Sequence, residues 1–311
     1  MTKAALKGGQ EPLDNKLMLV DYGTNLEVLF ASLILGEAEA RKAILDHARL
    51  NDIASCRVLV RLAHGSRNKA TAKNAKGSNR KGIQLTAELE AILENLKRCS
   101  TCWSEDKGTE TYKFDFWVND ATRQAFRFFW PNALEFYRSL HKLALLNDLA
   151  IPKAARDRVK RAVRDRRFAA RLPEPQVEEM VFGFEEVRFW PMSSKREPVD
   201  YVSFSDGEHQ QARVLGLFGM ISGHNAVFLL DEPESHFNPQ WRVQFVKRLM
   251  DLSSGRGDQD ILMTTHAPFV ASDMPRSQVI IFRRQDGSIT VKPPEIETYG
   301  ASFDRILVFC T

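Results

Sequence analysis

The stretch AVFLLDEPESHFNP, Ala226 to Pro239, decides the reading of the fold. Val227 to Leu230 are four consecutive apolar residues, the pattern of a fully buried strand in a parallel sheet. The run stops at two adjacent carboxylates, Asp231 and Glu232, and Pro233 then bars continuation of the strand. Ligands of open α/β sheets gather at that C-terminal edge. There, one carboxylate can hold a Mg²⁺ ion through water while its neighbour orients a water for attack. A lone Asp-Glu pair at a strand end is more often simply solvated, so the assignment depends on what surrounds it.

Downstream, WRVQFVKRLMDL reads as a helix and DILMTT as a second strand, which delivers Thr264-Thr265-His266 to a sheet edge. A histidine there can bond a phosphate or position a water. SQVIIFRRQDGSITV reads as a hairpin turning at Asp286-Gly287. Upstream, Ser205-Asp206-Gly207-Glu208 is a capping box that opens the helix GEHQQARVLGLFGMIS. A helix N-terminus beside a glycine also offers free N–H groups to a phosphate, although Asp206 and Glu208 would repel one. The residues leave both roles open. FGFEEVRFW and EPVDYVSF read as strands. Residues 176–311 are therefore expected to form an α/β lobe with a mostly parallel sheet.

Residues 1–175 are expected to be mainly helical, with a basic and aromatic insertion. DNKLMLVDYGTNLEVLFASLILG is leucine-rich, and a helical pattern continues to about Arg61. His64 to Gly82 is polar and rich in Gly, Asn, Ser and Lys, the composition of an exposed loop. LTAELEAILENLKR is an amphipathic helix with Leu85, Leu89, Ile92 and Leu96 on one face. YKFDFWV alternates as a strand does. Phe126, Phe129, Trp130, Phe136 and Tyr137 follow near helical spacing and read as core rather than as a platform for stacking bases.

The 311 residues are 43% apolar and 27% charged, ordinary for a globular protein, and no apolar run is long enough for a transmembrane helix. The N-terminus has no apolar core of signal-peptide length, so a cytoplasmic location and no membrane partner are expected. The net charge of +4 is uneven: Ile53–Ala87 carries +8 and Ile151–Arg171 carries +7. In the second segment Lys153, Arg156, Lys160, Arg164, Arg167 and Arg171 fall on about an 80° arc of a helix. Such a stripe is usually a solvated face, and otherwise contacts nucleic acid or an acidic protein surface. Cys99 and Cys102 form one CxxC with no second pair, which favours free thiols over zinc.

In this order, Phe204-Ser205-Asp206-Gly207-Glu208, Val227–Glu232, Ser235-His236-Phe237-Asn238-Pro239 and His266 resemble the C-terminal half of an ABC-type, AAA-family ATPase. The resemblance is to the SMC/RecF-like branch. The wording SDGEHQ followed by LLDEPESHFNPQWR is similar to the ATPases of restriction-associated, Septu-type and retron-associated anti-phage systems. The resemblance makes SFSDGE the signature motif, LLDE the Walker B, SHFNP the D-loop and His266 the switch histidine. It implies ATP and Mg²⁺ as cofactors and a nucleotide sandwiched between two protomers. Asp231 would bind Mg²⁺ through water, Glu232 would be the general base and His266 would sense the γ-phosphate. Ser205, Asp206, Gly207, Glu208, Ser235 and Asn238 would lie at the nucleotide.

The Gly-rich phosphate loop G-x-x-x-x-G-K-[ST] is not in the sequence. The nearest candidate, Gly77 to Gln84, lacks the Lys and Ser/Thr after its second glycine and follows no buried strand. The expectation is therefore a truncated or split ATPase, or a subunit completed by a second protomer or a Walker A-bearing fragment, with a nuclease effector as a further partner. Two other functions compete. One is a catalytically incomplete ATPase-like module that binds nucleic acid or a nuclease; the other is a DNA-repair ATPase.

Overall fold

The computed structural model describes residues 25–62, 83, 85–151, 153–164, 175, 179–193, 197–221, 226–235, 237, 239–253, 259–285 and 287–310. The elements begin with α1 (Asn25–Leu35), α2 (Ala38–His47) and β1 (Leu50–Arg61). Next come α3 (Ala87–Cys99), β2 (Cys102–Asp106), β3 (Thr111–Trp117), α4 (Asp120–Phe129), α5 (Ala133–Ala144) and α6 (Lys153–Arg164). β4 (Phe182–Pro191), β5 (Val199–Asp200), α7 (Asp206–Met220), β6 (Ala226–Asp231), α8 (Pro239–Ser253) and β7 (Gln259–Thr264) follow. The described chain closes with α9 (Pro268–Ser272), β8 (Ile281–Gln285), β9 (Ser288–Lys292) and α10 (Phe303–Cys310). It divides into two compact units, one of residues 1–35 and 51–202, the other of residues 36–50 and 203–311.

The first unit is built on a five-stranded sheet in the order β2-β3-β1-β4-β5. β3 runs antiparallel to both β1 and β2, and β4 antiparallel to β5. Val58 lies opposite Phe114 and Cys56 opposite Phe116, and all four are buried. The Phe30 ring of α1 lies within 6 Å of Phe116, Phe126 and Phe136, so helix and sheet aromatics form one core. Phe126, Trp130, Phe136 and Tyr137 are core, as their spacing implies, while Phe129 is half-buried. The helix starts are local chemistry: Thr86, Asn119 and Asn132 accept from the third residue of α3, α4 and α5. Asn147 bonds both the N–H and the C=O of Phe182, pinning the start of β4.

Two expectations are corrected here. Leu50–Arg61 is a strand, not the end of a helical run, although helix still exceeds strand among the described residues up to 175. Its Cys56, Val58 and Val60 face inward, while Arg57 reaches Asp115 at 2.5 Å on the other face. Alternation outweighs helical spacing once a β3 partner is present. The largest sheet is also mostly antiparallel; parallel pairing belongs to β6 and β7.

In the second unit β6 and β7 pair in parallel, with α8 between them in sequence as the crossover such strands require. α7 packs on α2 so closely that a Cβ on Gly219 would sit 2.7 Å from the Ala40 Cβ. Phe218 of α7 stacks on Phe228 of β6 at 4.1 Å. Among the described residues β6, expected to be buried throughout, is covered on one face only: Val227 and Leu229 are 65% and 70% exposed, beside Leu262 of β7 at 61%. The β8–β9 hairpin turns at Gly287, whose φ of +79° is the left-handed geometry a two-residue turn needs.

Candidate ATPase site

In the β6–β7 register Asp231 stands opposite Thr264, so both strands end at one edge. Thr264 Oγ1 donates to Asp231 Oδ1 at 2.5 Å, and the Glu232 N–H donates to the Thr264 carbonyl at 3.0 Å. Pro233 prevents β6 from running on, and the chain turns sharply, with the Ser235 N–H bonded to the Glu232 carbonyl. Glu232 takes φ +43°, a left-handed backbone that costs a residue with a side chain about 1–3 kcal/mol. From that position its carboxylate Oε1 lies 3.0 Å from His266 Nε2. Asp231 and His266 are exposed and Glu232 is half-buried, so the cluster opens to solvent.

Behind it, Glu234 is buried and accepts a hydrogen bond from the Thr265 hydroxyl, which itself accepts from the Ala267 N–H at 2.9 Å. Gln210 of α7, also buried, donates to the Pro233 carbonyl at 2.6 Å and ties that helix to the turn after β6. No local sequence signal gives Gln210, Glu234 or Thr265 a role, although each lies inside or beside one of the motifs.

Ser205 and Glu208 close both halves of the capping box: the Ser205 N–H donates to Glu208 Oε2 at 2.7 Å, and the Glu208 N–H donates to Ser205 Oγ at 3.4 Å. Capping, one of the two roles left open, is thus realised. Asp206 lies in the first turn and Gly207 is buried. Among the described residues, no hydrogen bond or ion pair joins Ser205–Glu208 directly to Asp231, Glu232 or His266. One turn on, burial holds His209 below its ordinary pKa, against the opposing charges of Asp206 and Glu208.

Ser235 is exposed in the turn, while His236 and Asn238 lie outside the described residues. Of the cationic stripe, Lys153, Arg156, Lys160 and Arg164 fall on α6; Arg167, Arg171 and the basic segment 63–82 lie outside the described residues. Lys160 and Arg164 are exposed, whereas Arg156 turns partly inward beside the buried Val159. Its Nε is enclosed with no partner among the described residues. Cys99 is buried, its thiol pushed up to about 12 by desolvation, and Cys102 is exposed; both are free.

Comparison with known proteins adds three findings. A solved structure described as "Structural biochemistry of ATP-driven dimerization and DNA stimulated activation of SMC ATPases" aligns with 40% of this chain and 70% of that one. Its identity is 15% and its TM-score 0.30, too loose a likeness to carry an argument. Protein ea59 of Escherichia phage lambda is 34% identical over 80 residues, which is 26% of this chain and only about 15% of the length of that curated relative. Residues 104–272, more than half of the chain, match the family described as "AAA domain, putative AbiEii toxin, Type IV TA system", and the chain belongs to that family of AAA-type ATPase domains.

Proposed function

We propose that the chain is the hydrolytic lobe of an ABC-type ATPase in a bacterial anti-phage or restriction-associated system, working on a nucleotide sandwiched between two protomers. One observation carries this reading: Glu232 and His266, 34 residues apart, meet at 3.0 Å beside the Asp231 carboxylate. Family membership supports nucleotide binding, and the toxin–antitoxin description of the family supports a defence setting. Glu232 orients the attacking water and takes its proton; His266 holds the carboxylate at Oε1 and faces the γ-phosphate. Thr264 bonds the Asp231 carboxylate, which would hold Mg²⁺ through water.

Oxygen donors of this kind suit Mg²⁺, which takes one or two carboxylates and fills its other positions with water and phosphate oxygens. Bound there, Mg²⁺ supplies charge neutralisation at the β- and γ-phosphates. The Gly-rich loop is supplied from outside these 311 residues. Ser205 and Gly207, at the start of α7, face the nucleotide of the opposing protomer. The described chain has no helix long and apolar enough to cross a membrane.

The test is Mg-ATP turnover by the 311-residue chain alone, and by the chain purified with a polypeptide bearing G-x-x-x-x-G-K-[ST] encoded at its own locus. Turnover should appear only in the second preparation and vanish in Glu232→Gln. Robust turnover that survives Glu232→Gln would refute the reading.

A further inference from the structure

Glu234 is the least expected residue of the second unit. It is 3% exposed, two positions past Glu232, and a carboxylate so enclosed is disfavoured unless its oxygens are hydrogen-bonded. One oxygen is: Oε1 accepts from the Thr265 hydroxyl. The other, Oε2, is buried with no hydrogen-bond partner among the described residues. Packing does not explain a half-satisfied buried acid, because an apolar side chain of similar size would fill the space without the penalty. Position does. Glu234 lies in the turn after β6, Thr265 in the segment after β7, and Thr265 is the residue before His266.

We propose that Glu234 is a positioning residue: by holding the Thr265 hydroxyl it sets the His266 segment against the β6 turn, and so fixes His266 on Glu232. The path is short and continuous. The Thr265 Oγ1 donates to Glu234 and accepts the Ala267 N–H at 2.9 Å, so its two bonds bracket His266 on both sides. The Glu232 N–H to Thr264 carbonyl bond, at 3.0 Å, anchors the other end. With both ends held, the His266 side chain needs only its own rotamer to reach Glu232 Oε1 at 3.0 Å, although the imidazole stands exposed to water. An exposed ion pair without such support is worth little and samples many geometries. Orientation therefore comes from behind the site, through a group that never touches the nucleotide.

The functional meaning of the proposal rests on Glu232 and His266 being the hydrolytic pair, so it is tested where no hydrolysis is needed. In the nucleotide-free full chain, labelled with ¹⁵N-histidine, the His266 Nε2 resonance reports its bond to Glu232. Glu232→Ala supplies the unbonded reference. Thr265→Val and Glu234→Leu, each close to isosteric and lacking one partner, should move the resonance most of the way to that reference. Thr265→Ser and Glu234→Gln, which keep a hydroxyl and an acceptor, should hold it at the wild-type position. If one apolar variant fails to fold, the other decides, since they act on opposite ends of one bond. A wild-type resonance in the folded apolar variants, or no response to Glu232→Ala, overturns the proposal. Failed turnover with the resonances behaving as expected would instead count against the ATPase reading alone.

Discussion

His266 Nε2 lies 3.0 Å from Glu232 Oε1 across the ends of two parallel strands. Glu232 occupies a left-handed backbone to get there, and His266 reaches it from a segment tied down on both sides. The pair lies beside an Asp231 carboxylate already bonded by Thr264. On the proposed reading, a base, its holder and a metal-side acid thus share one edge.

Glu232→Gln keeps the length and hydrogen-bonding reach of the side chain and removes the charge that, on the proposed reading, accepts a proton. In the reconstituted ATPase, kcat should fall by about 10²- to 10⁴-fold, the usual contribution of a positioned general base. Nucleotide-driven dimerisation, followed by light scattering, should persist. Unchanged kcat would make Glu232 a bystander.

Ser205→Ala removes the acceptor that caps α7 and leaves the Glu208 N–H without it. The expected loss is about 1 kcal/mol in urea denaturation of the chain. Ser205→Thr should recover most of it, since its hydroxyl still accepts from that N–H and donates to the Glu208 carboxylate. Equal stability of Ser205→Ala and wild type would show that the cap contributes nothing.

Gly219→Ala should destabilise although alanine favours helices, because its Cβ would meet the Ala40 Cβ at 2.7 Å. Overpacking of this kind costs about 1–3 kcal/mol, against at most about 1 kcal/mol gained in helix propensity. Adding Ala40→Gly removes the clash and should restore part of the loss. A double-mutant cycle with no coupling energy would refute the α2–α7 contact.

Burial holds His209 below its ordinary 6.5, so the folded chain binds fewer protons there than the unfolded chain. Stability is therefore full above 6.5 and falls as pH drops from 6.5 through the lowered folded value. His209→Gln should make the urea midpoint less steeply pH-dependent between about pH 7 and about pH 5. Parallel pH profiles for the two proteins would contradict this assignment.

Much of the second unit could be read locally because its elements carry their own punctuation. Ser205 with Glu208 marks a helix start, Pro233 a strand end, and Gly287 a turn, each through chemistry within a few residues. Leu50–Arg61 could not be read that way. Its apolar residues fit both spacings, and what decides is Phe114 and Phe116 facing Val58 and Cys56 from a strand over fifty residues later. The contact of Glu234 with Thr265 is equally silent, since it exists only once Asp231 is placed opposite Thr264. The partial covering of β6 also lay beyond local reading: four apolar residues in a row look buried whether or not a second layer lies over Val227 and Leu229.

If Glu232 is the hydrolytic residue proposed above, its left-handed backbone sets thermal hardiness against turnover. Glycine, or to a lesser degree asparagine, accepts φ +43° with less strain, so either substitution recovers part of the cost of about 1–2 kcal/mol that the wild-type residue carries. A selection that rewards only heat resistance will therefore be drawn to this position and will discard the carboxylate. The hardier proteins it returns should be poor enzymes. On the proposed reading, a glutamate standing where glycine would rest more easily is kept for what it does, at the expense of how firmly it sits.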